Sequence, residues 1–215
     1  MLFNIFLYIH HPKPNSRAPC SCTQSACCFL VGFWFVSLVW GIVCSLPHSL
    51  GTTSPSPGNT SSLVMGGIVF LLGLVTETKA DFQKWSFKMK NPGQFCNVGL
   101  WSISQHPNFF GNLLLWAGLL IINSDSLIQR SMREGELDNR NILSMFWRAR
   151  RLMVALLSPL FMWTLFSGQA SGTITNAVEL ANQRYGKDPL FQEYIKNVPK
   201  IVPSVRLWMK ELFVG

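Results

Sequence analysis

A chain of 215 residues is long enough for one domain. Yet only 13% of it is charged and its mean hydropathy is +0.25, which excludes an ordinary soluble domain, where about 25% of residues are charged. The net charge of +8 is dispersed around apolar runs and forms no basic stripe, so a nucleic-acid partner is excluded and the charge fits cytoplasmic loops. With 8 Trp and 16 Phe suited to bilayer interfaces and apolar cores, the chain reads as all-α, a multi-pass transmembrane helical bundle whose partner is the lipid bilayer.

Residues 1–28 open on a short apolar stretch that His10-His11-Pro12-Lys13-Pro14 ends. No positive charge precedes the apolar part, so a secretory signal is poorly supported and the segment reads as irregular. Cys20, Cys22, Cys27 and Cys28 crowd together ahead of the first apolar run. They lack the paired spacing and histidine partners of a zinc site, so the expectation is free or palmitoylated juxtamembrane thiols and no metal. Cys44 and Cys96 stand alone, and no disulfide framework is evident.

Residues 29–46 carry no charge and nearly span a hydrocarbon core of about 30 Å; they are the first expected span. Residues 47–62 are rich in Ser, Thr, Pro and Gly and read as a loop. Residues 62–75 form a second, shorter span that Thr76 and Thr78 extend into the interface.

A charged segment follows. If the helix continues, Glu77, Asp81, Lys84 and Lys88 recur at intervals of four, three and four and fall within a sector of about 60°. Phe82, Trp85 and Met89 take a neighbouring sector. The ladder of alternating charge is either a salt-bridged helix end, worth about 0.3–0.5 kcal/mol per pair, or a helix top that offers two lysines to an anion. Asn91-Pro92-Gly93 is a turn.

Residues 99–112 place polar, aromatic and turn-forming side chains against the third span at 109–122. Residues 123–151 read as a loop or surface helix, and 152–168 as the fourth span with a kink at Ser158-Pro159. The C-terminal part reads as short amphipathic helices. Ile174, Val178, Ala181 and Tyr185 share one face, Asn176 with Glu179 resembles a capping box, and Gly186 fits a C′ position. Asp188-Pro189 looks like an N-cap and N1 pair opening residues 189–197. With four spans, the N-terminal tail, residues 77–107 and the C-terminus share one side and hold two thirds of the Lys and Arg. The positive-inside rule makes that side cytoplasmic. The charged helix, the His106 stretch and the Tyr185 region then share one face.

These residues resemble a known family. Glu77, Ala80-Asp81, Gln83-Lys84, Phe87-Lys88, Gly99-Leu100-Trp101, Ser104, His106-Pro107-Asn108, Gly111 and Trp116 are similar to two ordered motifs of the DUF1295 group. That group belongs to the steroid 5-alpha-reductase C-terminal domain superfamily. Ser158-Pro159-Leu160-Phe161, Glu179, Tyr185-Gly186, Asp188-Pro189, Tyr194 and Pro199 resemble its closing pattern. The resemblance covers residues 62–203. It divides the chain into 1–60, a poorly matched tail with the first span that looks shortened; 61–203, the membrane domain; and 204–215, a C-terminal tail.

The resemblance implies an NADPH-dependent reductase that delivers a hydride to a carbon–carbon double bond of a sterol-like or other lipid-soluble small-molecule substrate. The endoplasmic reticulum is its default membrane. Gln83, Lys84, Lys88, Trp101, Ser104, His106, Asn108 and Tyr185 are the expected cofactor-binding residues, no catalytic residue is assigned, and no protein partner is evident. The lysines suit the cofactor's phosphates, while Trp101 and Tyr185 suit a flat ring.

Three positions depart from the family pattern: Gln105 replaces an arginine, Phe109 a tyrosine and Asn112 a glutamate. Each lost charge-assisted hydrogen bond is worth about 1.5–3 kcal/mol. That motivates a second reading, a degenerate non-catalytic member. A third, a methyltransferase of the isoprenylcysteine type using S-adenosylmethionine, rests on a similar histidine motif and late tyrosine.

Overall fold

The computed structural model describes residues 22–52, 60–134, 142–174 and 177–214, with side chains at 31–32, 34–35, 37–52, 60–128, 150–174 and 177–214. Among the described residues every regular element is a helix: α1 (Cys22–Thr52), α2 (Thr60–Lys90), α3 (Leu100–Ile103), α4 (Pro107–Glu134), α5 (Ile142–Ser171), α6 (Ala177–Tyr185), α7 (Pro189–Asn197) and α8 (Val205–Phe213). The chain divides into two units, Met1–Trp40 and Gly41–Gly215. The first holds the start of α1, whose Val31, Trp34, Phe35 and Leu38 are exposed. The crowded cysteines and the proposed cap at Asn176 lie outside the described side chains.

In the second unit, three helices are long and apolar enough to cross a membrane: Thr60–Lys90, Pro107–Ile128 and Arg150–Ser171. The expected first span at 29–46 lies within α1, part of whose side chains are outside the described residues. The second span is longer than its apolar run. At about 1.5 Å per residue, α2 is about 46 Å long against a hydrocarbon core of about 30 Å. The surplus carries the charged ladder out of the membrane on one unbroken helix. Of the loop or surface helix expected at 123–151, residues 123–134 continue α4 and residues 142–151 open α5, and Pro159 sits inside an unbroken α5.

Helices α2 and α4 run antiparallel with their backbones nearly touching. A Cβ at Gly66 would lie 2.8 Å from the Gly118 carbonyl oxygen, and one at Gly118 would lie 2.8 Å from that of Gly66. One turn-pair further on, a Cβ at Gly73 would lie 2.6 Å from the Gly111 carbonyl and one at Gly111 would lie 2.6 Å from the Glu77 amide nitrogen. Within lipid, close backbone approach of this kind replaces the hydrophobic drive that water gives soluble helices. Helix α5 packs on α4, and its buried residues Ala155, Ser158, Met162, Phe166 and Ala170 form a stripe at helical spacing. Phe166 meets Phe109 of α4, whereas Ser158 and Met162 meet Cys44 of α1. Its Met153, Leu157, Leu160 and Trp163 are exposed, as bilayer-facing residues are.

A core forms around the C-terminal half of α2 and the start of α4. Ala80, Cys96, Leu100, Trp101, Trp208 and Leu212 are its buried members, with Leu72, Phe87, Ile103, Phe110 and Leu114 packed around them. Residues after 203 therefore contribute Trp208 and Leu212 to the same core as α3. Asp188 caps α7 as expected, its Oδ1 accepting from the Leu190 N–H at 2.9 Å, with Pro189 at N1. Ile174 precedes α6 rather than sharing its face. Gly186 ends α6 by donating its N–H to the Asn182 carbonyl at 2.8 Å, without a positive φ.

Candidate functional site

The turn at 91–99 brings α3 against the charged end of α2. Gly93 and Gly99 adopt φ of 90° and 56°, where a side chain is strained. At Gly99 a Cβ would also strike the Gln83 side chain. Gln83 uses that closeness: its Oε1 accepts from the Leu100 N–H at 3.0 Å and fixes the first turn of α3. Trp101 follows. It is buried, and its indole N–H donates to the Ala80 carbonyl at 2.8 Å. Tyr194 donates its hydroxyl to the Trp101 carbonyl at 2.7 Å, tying α7 to the same point. Burial holds the Tyr194 phenol well above the usual tyrosine value.

Each charge of the ladder meets a partner on another element. Glu77 accepts from the Asn112 amide at 3.2 and 3.1 Å. Asp81 accepts from the Asn108 amide at 3.2 Å. The Lys84 ammonium lies 4.2 Å from the centroid of the Trp101 ring, a cation–π contact. The Lys88 ammonium donates to the Tyr185 hydroxyl at 2.8 Å and to the Gln94 carbonyl, and stands 5.0 Å from the Tyr185 ring. No ion pair links the four to one another, so the expected salt-bridged helix end gives way to rungs reaching across the fold. Burial pushes the Tyr185 phenol up, but the hydrogen bonds and charges of Lys88 and Arg184 outweigh it and hold it below the usual tyrosine value.

His106 precedes α4. Its N–H donates to Ser104 Oγ at 3.2 Å, and Ser104, fully buried, donates to the Ile201 carbonyl at 2.8 Å. The His106 ring stacks on Phe109 at 4.8 Å, and Phe109 stacks on Phe166 of α5 at 4.7 Å. Burial first, then the charges of Lys84 and Lys200, push the imidazole down to about 4, so it is neutral at pH 7. Among the described residues neither ring nitrogen has a hydrogen-bond partner.

The expected site residues thus separate by position. Lys84, Lys88, Trp101, His106, Asn108 and Tyr185 converge on the ladder face, where Asp81 joins them. Gln83 and Ser104 stand behind it and orient α3 and His106. The three departures from the family pattern are built into the frame. Gln105 donates its amide to the Ile195 and Val198 carbonyls at 3.1 and 2.7 Å, and its N–H to the Pro199 carbonyl at 2.9 Å. Phe109 is the middle ring of the stack. Asn112 pairs with Glu77 and accepts the Trp116 indole N–H at 2.9 Å. Sequence reasoning did not single out Phe95, whose ring meets Tyr185, Phe191 and Tyr194 at 6.2, 5.3 and 5.4 Å. Its only signal was an aromatic residue in an otherwise polar turn. Among the described residues no group of His, Cys, Asp and Glu is placed to hold a metal.

No curated protein and no solved structure matches the chain. The profile of the family described as a protein of unknown function (DUF1295) matches residues 17–132, just over half the chain. It reaches further toward the N-terminus than the motifs at 77–116 and stops within α4, ahead of the closing pattern in α5 to α7. The chain belongs to the DUF1295 family.

Proposed function

We propose that the chain is a membrane-embedded reductase that uses NADPH to reduce a carbon–carbon double bond in a sterol-like or other lipid substrate, in the endoplasmic reticulum membrane. The observation that carries this reading is Lys84. It is exposed, its ammonium rests on the Trp101 ring, and among the described residues no hydrogen-bond acceptor meets it. An ammonium with open donors, one turn from a second lysine, fits a polyanionic ligand. The rest of the donor set fits a dinucleotide: the accessible phenol of Tyr185 held by Lys88, and a neutral imidazole with both nitrogens open.

In this reading Lys84 and Lys88 hold the phosphates, and Tyr185 supplies a flat face and a hydroxyl. Trp101 positions Lys84. Asn108, fixed by Asp81, and His106, fixed by its stack, orient the remaining polar groups. When bound, NADPH supplies the hydride, and the protein supplies position and electrostatics. Glu77 and Asn112 mark the end of the uncharged run of α2, the level at which a lipid's polar end meets the site.

The test is NADPH binding to the purified full chain in nanodiscs, beside K84A and K88A. Each lost charge-assisted contact weakens binding by roughly ten- to a hundredfold, and NADPH is oxidised when an enone lipid is supplied. A folded chain that ignores NADPH overturns the reading. Uptake of S-adenosylmethionine instead makes it a methyltransferase, and NADPH binding without turnover makes it a non-catalytic member that keeps the site.

A further inference from the structure

Helix α8 is pinned at the level where the apolar part of α2 ends. Trp208 donates its indole N–H to Thr76 Oγ1 at 3.1 Å, and its ring meets Phe110 edge-on at 5.4 Å. Lys79 donates from Nζ to the carbonyls of Glu211 and Leu212 at 2.8 and 3.1 Å, capping the C-terminal end of α8. Glu77 is the first ionisable residue of α2, and Lys79 lies about 3 Å beyond it along the axis. Both anchor points of α8 therefore flank the polar boundary of the span. On α2 itself, Lys79 stands between exposed Val75 and Phe82, one turn to either side. The seat of α8 is continuous with the bilayer-facing surface.

The apolar face of α8 is wider than the protein it touches. Trp208 and Leu212 are 7% and 5% exposed, but Val205, Met209 and Phe213, next in angular order, are 67%, 40% and 66% exposed. Arg206 and Lys210 follow beside them, both exposed. One half of the apolar arc is packed, and the other half is bare and bordered by two cations. A helix lying in the plane of a membrane interface has this pattern, with the long basic stems reaching up to the headgroups. A contiguous exposed apolar arc of this kind marks an interaction surface.

We propose that α8 is an in-plane membrane anchor. It beds Val205, Met209 and Phe213 at the headgroup–acyl boundary and draws anionic headgroups to Arg206 and Lys210. This anchor is independent of what the ladder face binds.

The test uses the full chain reconstituted in vesicles of mixed zwitterionic and anionic phospholipid. Trace phospholipids carry a photoreactive diazirine in the upper acyl chain, on either headgroup type, and adducts are mapped by mass spectrometry. Val205, Met209 and Phe213 acquire adducts, and the anionic probe is enriched at α8 over the zwitterionic one. In R206Q/K210Q that enrichment falls by roughly fivefold per charge removed. Labelling of Leu157 and Trp163 on α5 stays constant and reports that the bundle is folded and inserted. Labelled α5 with unlabelled α8 overturns the anchor, as a soluble partner covering α8 would produce. Enrichment that the double variant leaves unchanged overturns the headgroup preference.

Discussion

Asn112 donates its side-chain amide to both carboxylate oxygens of Glu77, at 3.2 and 3.1 Å, from the helix packed directly against it. The contact sits beside a close backbone approach of α2 and α4, that of Gly73 and Gly111. An amide is the group that satisfies a carboxylate there without adding charge. The residue that departs from the family pattern is thus the partner of one that matches it.

Asn112→Glu places two carboxylates in one confined space. Neutral pH then destabilises the variant by about 1.5–3 kcal/mol, the cost of replacing a hydrogen bond to a charged group with an unpaired one. Acidification protonates one of the two carboxyls and restores much of the loss. Thermal unfolding in detergent across pH reads this as a melting-temperature deficit that narrows as the pH falls. A deficit constant with pH contradicts it.

Gly73→Leu forces α2 and α4 apart, because its Cβ alone would stand 2.5 Å from the Leu115 amide nitrogen and 2.6 Å from the Gly111 carbonyl. Backbone cannot move aside as a flexible side chain can. The cost exceeds the roughly 1–3 kcal/mol of ordinary overpacking. Gly67, on the same helix, has open space where its Cβ would go, so Gly67→Leu is the control. Size-exclusion profiles and melting temperature separate the two variants.

His106 gives stability a pH dependence of definite sign. Its folded value of about 4 lies below the ordinary 6.5. Between these values the unfolded chain takes up a proton that the folded chain does not, so stability falls as the pH drops through this window. His106→Phe keeps a ring on Phe109 and removes the titration. Its melting temperature declines less steeply from pH 6.5 to 4 than that of the parent chain.

Tyr194→Phe removes the hydroxyl that donates to the Trp101 carbonyl at 2.7 Å. The loss is about 1–3 kcal/mol, since a buried carbonyl is left without its donor. The variant loosens α7 from α3, and hydrogen exchange shows it as faster exchange in residues 189–197 with the α4 amides unchanged.

The sequence by itself determined the all-helical membrane class, the ladder on α2, the cap of α7 and the family, because each rests on local or periodic information. Apolar runs specify spans, a helix period places Glu77, Asp81, Lys84 and Lys88 together, and Asp188-Pro189 satisfies orphan amides within its own turn. What the ladder charges bind was not legible. Charges three or four apart on a helix pair as readily with one another as with distant groups, and only the packing of α2 against α3, α4 and α6 chose the distant ones. Tertiary structure also decided what Gln105, Phe109 and Asn112 do. A motif records residue types, whereas their partners at Val198, Phe166 and Glu77 come from far along the chain or from a neighbouring helix. The same holds for residues after 203. Nine residues are too few to hold a helix in water on their own, and it is Thr76, Lys79 and Phe110 that give α8 its place.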